Sequence, residues 1–119
     1  MQPEARDPAY LWDMLEAARR VTRFTGGLSR DEYLGDELVQ AAVERALEII
    51  GEAARRVSDT FRRLHPEVPW QSLIGQRNIL IHRYEGVDHK LIWESIRGDL
   101  DNLVAALQPL IPPLPPDVP

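Results

Sequence analysis

The stretch that decides the fold is Val39-Gln40-Ala41-Ala42-Val43-Glu44-Arg45-Ala46-Leu47-Glu48-Ile49-Ile50-Gly51-Glu52-Ala53-Ala54-Arg55-Arg56-Val57. Val39, Ala42, Val43, Ala46, Leu47, Ile50, Ala53, Ala54 and Val57 recur three or four residues apart, making one continuous apolar face at helical period. Upstream, Asp7-Pro8 places an N-cap beside a proline at the first helical position. Leu11, Met14, Leu15, Ala18, Val21 and Phe24 follow at helical spacing until Gly26-Gly27 stops the run. Ser29-Arg30-Asp31-Glu32 reads as a capping box opening a short helix, which Gly35-Asp36 interrupts.

Downstream, Ser58-Asp59-Thr60 reads as a joint, with Phe61 and Leu64 in a short helical turn before His65-Pro66. Pro69-Trp70 opens another helix that runs to about Tyr84, where Gly86 breaks it. Asp88 is placed to cap a last helix with Leu91, Ile92, Ile96, Leu100, Leu103, Val104 and Leu107 inward. No segment alternates at strand period, so the expected fold is all-α, an antiparallel bundle of four to five helices with short links. The 119 residues suit one domain over residues 1–108, and the segment 109–119, with six prolines in eleven residues, is expected to be extended or disordered.

Composition narrows the function classes. Hydrophobic content of 44% and charged content of 28% fit a globular chain, and no apolar run nears the ~20 residues of a membrane span. With no cysteine, disulfides and thiolate metal sites are excluded, and with no secretory signal at Met1-Gln2-Pro3-Glu4 a cytoplasmic location is expected. The net charge of −5 argues against a general nucleic-acid coat. The basic residues are nevertheless clustered: Arg55, Arg56, Arg62, Arg63, Arg77 and Arg83 form a basic middle segment, and Lys90 is the single lysine of the chain. The bias toward arginine reads first as genome composition, since Ala, Pro and Gly are also plentiful, and second as a source of bidentate phosphate contacts. Neither a phosphate-binding glycine loop nor His-x-x-x-His or Glu-x-x-His spacing occurs, so neither metal nor cofactor is expected.

The chemistry concentrates in Arg77-Asn78-Ile79-Leu80-Ile81-His82-Arg83-Tyr84, where an arginine, an amide, a histidine and a tyrosine flank a short apolar run. Histidine moves protons near neutral pH and arginine holds phosphate, the minimum set for cleaving RNA without a metal. Taken alone, His82 reads as a histidine capping a carbonyl, Tyr84 as a half-buried packing residue, and Asn78 as structural no less than catalytic. On a regular helix Arg77 and His82, five residues apart, diverge by about 140 degrees. One helix does not converge both on a single phosphate, whereas two copies related by a two-fold axis could, so a homodimer is expected. Glu44, Glu48 and Glu52 form a carboxylate stripe whose repulsion neighbours such as Arg45 or Arg56 offset; it reads as a solvated face, or, more sharply, makes Glu52 a buried partner of Arg77 or His82 that raises the histidine pKa. His89 is expected in the first turn of the last helix, exposed, and Trp70 and Trp93 as core or interface anchors.

Arg77-x4-His82-x-Tyr84 resembles the signature of HepT-type toxins in the HEPN superfamily of small helical ribonucleases. Ala42-Val43-Glu44-Arg45, Ile49 to Arg56, Pro69-Trp70, Ile74 to Asn78, Gly86-Val87-Asp88 and Trp93 also look like that family's pattern, and the resemblance covers Asp7 to Leu110. It implies a HEPN-like bundle acting as a homodimer, with Arg77 and His82 in a metal-independent endoribonuclease site. From the residues themselves, Asn78 is a further catalytic candidate that would orient the His82 ring or hydrogen-bond the substrate, and Arg83, an extra positive charge between His82 and Tyr84, is expected to contact RNA. The substrates the resemblance implies are transfer or messenger RNA. It further implies a partner, an MNT-type minimal nucleotidyltransferase antitoxin that attaches AMP to Tyr84 and so adds charge and bulk beside the RNA cleft. The alternative is a non-catalytic helical module that binds such a nucleotidyltransferase.

Overall fold

Six α-helices, four of them long, run through the described residues. The computed structural model describes residues 3–82 and 86–112. After a 3-10 turn at Pro3–Arg6 come α1 (Asp7–Thr25), α2 (Arg30–Leu34), α3 (Glu37–Arg56), α4 (Asp59–Leu64), α5 (Trp70–His82) and α6 (His89–Leu107), then a 3-10 turn at Gln108–Leu110. No strand occurs among the described residues. None of the described helices is long and apolar enough to cross a membrane.

The packing follows the periodicity of the sequence. α3 lies along α1 on one side and α5 on the other, α6 packs on α1, and α2 bridges α3 and α6. Three helices supply most of the core: Leu11, Met14, Ala18 and Val21 of α1, Val43, Ala46, Ile50 and Ala54 of α3, and Ile92, Ile96, Leu100, Leu103 and Leu107 of α6. Tyr33 of α2 is fully buried and stacks on Trp93 at 5.2 Å between centroids. α5 differs in kind. It buries only Trp70 completely and rests on α3, leaving its other side uncovered.

Several helix ends obey the local code. The Ser29 hydroxyl accepts from Glu32 N–H while Glu32 accepts from Ser29 N–H, a complete capping box. Asp36 caps α3 through Val39 N–H, Ser58 caps α4 through Phe61 N–H, and Asp88 caps α6 through Lys90 and Leu91 N–H. Gly86, at φ 104, holds the left-handed backbone that glycine tolerates best, just ahead of that cap.

Three expectations need correction. Asp7 does not cap α1: it is the first residue of that helix, and its buried carboxylate accepts instead from Ser58 N–H at 2.9 Å and Ser58 Oγ at 2.7 Å. Leu91 does not point inward but is 61% exposed, because α6 is covered on the side of Ile92 and Ile96 only. Helical packing also extends past residue 108, since Leu110 and Ile111 rest against the core. Arg83 and Tyr84, and positions 113–119 of the proline-rich segment, lie outside the described residues.

Candidate active site

The site is built on the crossing of α3 and α5. A Cβ added to Gly51 would lie 2.2 Å from Arg77 Cβ and 2.7 Å from the Leu73 carbonyl oxygen, so only glycine admits α5 this close. The crossing delivers the Arg77 side chain to the neighbouring residue on α3. Arg77 Nη2 sits 3.1 Å from Glu52 Oε2, and Nη1 donates to Asn78 Oδ1 at 3.0 Å. Asn78 therefore serves the arginine and not the ring of His82.

Glu52 is held by more than Arg77. Arg55 Nη2 donates to Oε1 at 2.9 Å and Arg56 Nε donates to the same oxygen at 2.8 Å. The hydrogen bonds from Arg55 and then Arg56, with the charge of Arg77 added, hold the Glu52 carboxyl down at about 2. In return Glu52, together with Tyr10, raises the pKa of Arg56. Glu52 thus pairs with Arg77 as the sharper expectation has it, but is half-buried and not buried, and no contact joins it to His82 among the described residues. Nor is the glutamate stripe a freely solvated face. Glu48 pairs with Arg45 at 3.6 Å, and Glu44 lies 3.7 Å from Nδ1 of His89, which is half-buried and not exposed as expected. Burial raises the Glu44 pKa, with His89 opposing.

His82 ends the described part of α5 and is exposed. At 1.5 Å rise and 100 degrees per residue it stands about 7.5 Å along the axis from Arg77 and about 140 degrees around it. Asn78, Ile79 and His82 consequently share the side of α5 turned from α3, where Ile79 is 55% exposed; Ile81, nearer Arg77 around the axis, is 37% exposed. One chain thus brings Arg77 and Asn78 together and leaves His82 diverging from Arg77. Arg77 is suited to stabilise charge on a phosphate and His82 to move a proton, and on this helix the two point apart.

The family assignment rests on this ground. A family model described as ribonuclease HepT-like matches residues 14–110. The chain belongs to the HepT-like ribonuclease family. A Methanocaldococcus jannaschii protein with a provisional RNase name is 43% identical over 95 residues, covering 80% of this chain and 87% of its own. A Thermococcus cleftensis protein provisionally named ribonuclease HepT is 41% identical over 101 residues, covering 85% of this chain and 92% of its own. A third, from Caldanaerobacter subterraneus subsp. tengcongensis and also provisionally named an RNase, is 36% identical over 94 residues, covering 79% and 84%. No solved structure matches the chain.

Two features of this HepT-like site escaped the sequence reading. Arg55 stood out only as a basic residue, yet its three-residue spacing from Glu52, beside the four-residue spacing of Arg56, was a signal that all three would meet on one helix face. Gly51 offered a weaker one, a glycine inside an otherwise strong helical pattern.

Proposed function

We propose that this HepT-like chain is the toxin of a type II/VII-like toxin–antitoxin pair, a metal-independent endoribonuclease that works as a homodimer in the cytoplasm on transfer or messenger RNA. The observation that carries the reading is the divergence of Arg77 and His82 on α5 beside exposed Ile79 and Ile81. A two-fold pairing of α5 with its own copy covers the isoleucines and brings the Arg77 and His82 of both chains to one cleft. There His82 takes the 2′-hydroxyl proton, the 2′-oxygen bonds to phosphorus, and the bond from phosphorus to the 5′-oxygen breaks. The leaving oxygen takes a proton from a conjugate acid, giving a cyclic phosphate and a 5′-hydroxyl end. Proton transfer of this kind contributes ~10²–10⁴-fold in rate. Arg77 stabilises the charge that grows on the phosphoryl oxygens.

The control we propose acts at Tyr84. A minimal nucleotidyltransferase antitoxin attaches AMP there, and the added phosphate repels RNA from the cleft two residues beyond His82. Arg83, between them, contacts the RNA backbone.

The deciding experiment is RNA cleavage by the purified, unmodified chain in the presence of chelator, beside Arg77→Ala and His82→Ala. Cleavage that survives chelation and is lost in both variants supports the reading. A folded dimer that cuts nothing in a broad cellular RNA pool, or variants that cut equally well, would move the assignment to a non-catalytic module that binds the nucleotidyltransferase.

A further inference from the structure

Three guanidiniums converge on a single carboxylate in this chain. Arg55 and Arg56 meet at Oε1 of Glu52, and Arg77 meets Oε2. One glutamate needs one cation, so the cluster carries a surplus of two positive charges in a chain whose net charge is −5. The surplus faces water, since the side chains of Arg55 and Arg56 are 51% and 55% exposed. Each guanidinium also carries five N–H donors, more than Glu52, Asn78 and Tyr10 can occupy. Ordinary surface pairing leaves neither an excess of charge nor a set of forks held side by side.

We propose that Arg55 and Arg56, gathered against Arg77 by Glu52, form a platform for the RNA backbone, gripping a phosphate next to the one being cleaved. This rests on the ribonuclease reading and adds a binding site to it. Glu52 is a positioning residue: it fixes the guanidinium of Arg77 relative to the platform and touches no substrate.

The test uses full-length protein and a fluorescent single-stranded RNA. In a His82→Ala background, Arg55→Gln/Arg56→Gln is expected to weaken binding at least ~5-fold at moderate salt. It should also flatten the plot of log affinity against log salt by roughly 0.7, the value for one phosphate no longer neutralised. Lysine at both positions keeps the charges and most of that slope. With His82 intact, the glutamine variant raises KM while kcat changes less than ~2-fold. Glu52→Ala lowers kcat about tenfold with a smaller effect on KM, and Glu52→Gln recovers part of the loss. The matched control is Arg20→Gln/Arg23→Gln, because those residues share Glu16 on α1 and carry the same charge. Equal effects from the two glutamine doubles, or an unchanged salt slope at Arg55 and Arg56, would overturn the platform while leaving the ribonuclease in place. A wild-type chain that cuts no RNA overturns both.

Discussion

Gly51 and Arg77 are in steric contact across the α3–α5 crossing, with no room for a methyl group between them. This contact makes Arg77 at once a packing residue, through its stem, and a charged one, through its guanidinium on Glu52. Gly51→Ala must push α5 outward, because one obstacle is the Leu73 backbone, which cannot rotate away. The expected cost is about 1–3 kcal/mol in a urea melt, together with a loss of RNA cleavage larger than the melt alone explains. Gly98→Ala on α6 is the contrast: its Cβ meets nothing within 4 Å, so alanine there should stabilise by up to ~1 kcal/mol. Equal melts for the two variants would refute the steric account.

The Glu52 clamp sets a defined pH window. Its folded-state pKa of about 2 lies below the ordinary carboxylate value of 4.5. A depressed carboxylate contributes stability that is fully present above 4.5 and is lost as pH falls toward 2. The difference in urea midpoint between wild type and Glu52→Gln should therefore stay constant from pH 7 to 5 and shrink only below 4.5. A gap that closes already between pH 7 and 6 would mean another group sets it.

What could be read from the sequence divides along the range of the interaction. Capping by Ser29 and Asp88, and the apolar arcs of α1, α3 and α6, are matters of three- and four-residue spacing and were legible in advance. Contacts between distant positions were not. The Asp7 carboxylate left its local capping role for Ser58, 51 residues away, because that residue offers both an N–H and a hydroxyl. His89 was drawn into half-burial by Glu44 on another helix. Of the candidate site, residue types and spacing pointed to Arg77 and His82, and the Glu52 pairing was one of two readings. That Asn78 serves Arg77 depends on how α5 rotates on Gly51, which only packing decides.

Tyr33 presents the reverse of the usual buried tyrosine. Its ring is fully buried against Trp93, yet its hydroxyl has no hydrogen-bond partner among the described residues. An unpaired buried hydroxyl costs free energy that phenylalanine would not, so Tyr33→Phe is expected to be neutral or to stabilise by up to ~1 kcal/mol. Burial first, and Glu44 second, push its pKa up to about 12. A group raised above its unfolded value, here 10, contributes stability below pH 10 and loses it as pH rises through about 12. Tyrosinate absorbance should show Tyr33 ionising together with alkaline unfolding, and Tyr33→Phe should remove that step. An early titration near pH 10 for all three tyrosines would contradict this burial.

The Asp7–Ser58 pair ties the start of α1 to the turn between α3 and α4, and so to the approach of α5. Ser58 Oγ donates to Asp7 Oδ2 and at the same time accepts from Phe61 N–H at 3.2 Å, so one hydroxyl serves both the tertiary tie and the α4 cap. Asp7→Ala leaves the Ser58 N–H without its acceptor in a part-buried position, an expected loss of ~1–3 kcal/mol. Ser58→Ala removes the hydroxyl from both roles. Because the residues touch, the double variant should cost less than the two single losses added, with a coupling of ~0.5–3 kcal/mol in a double-mutant cycle. Strict additivity would mean that Asp7 stabilises the chain through some other contact. The chemistry should respond only indirectly: cleavage by Asp7→Ala should recover at low temperature, where the folded fraction is restored, in contrast to Arg77→Ala, which should stay inactive at every temperature.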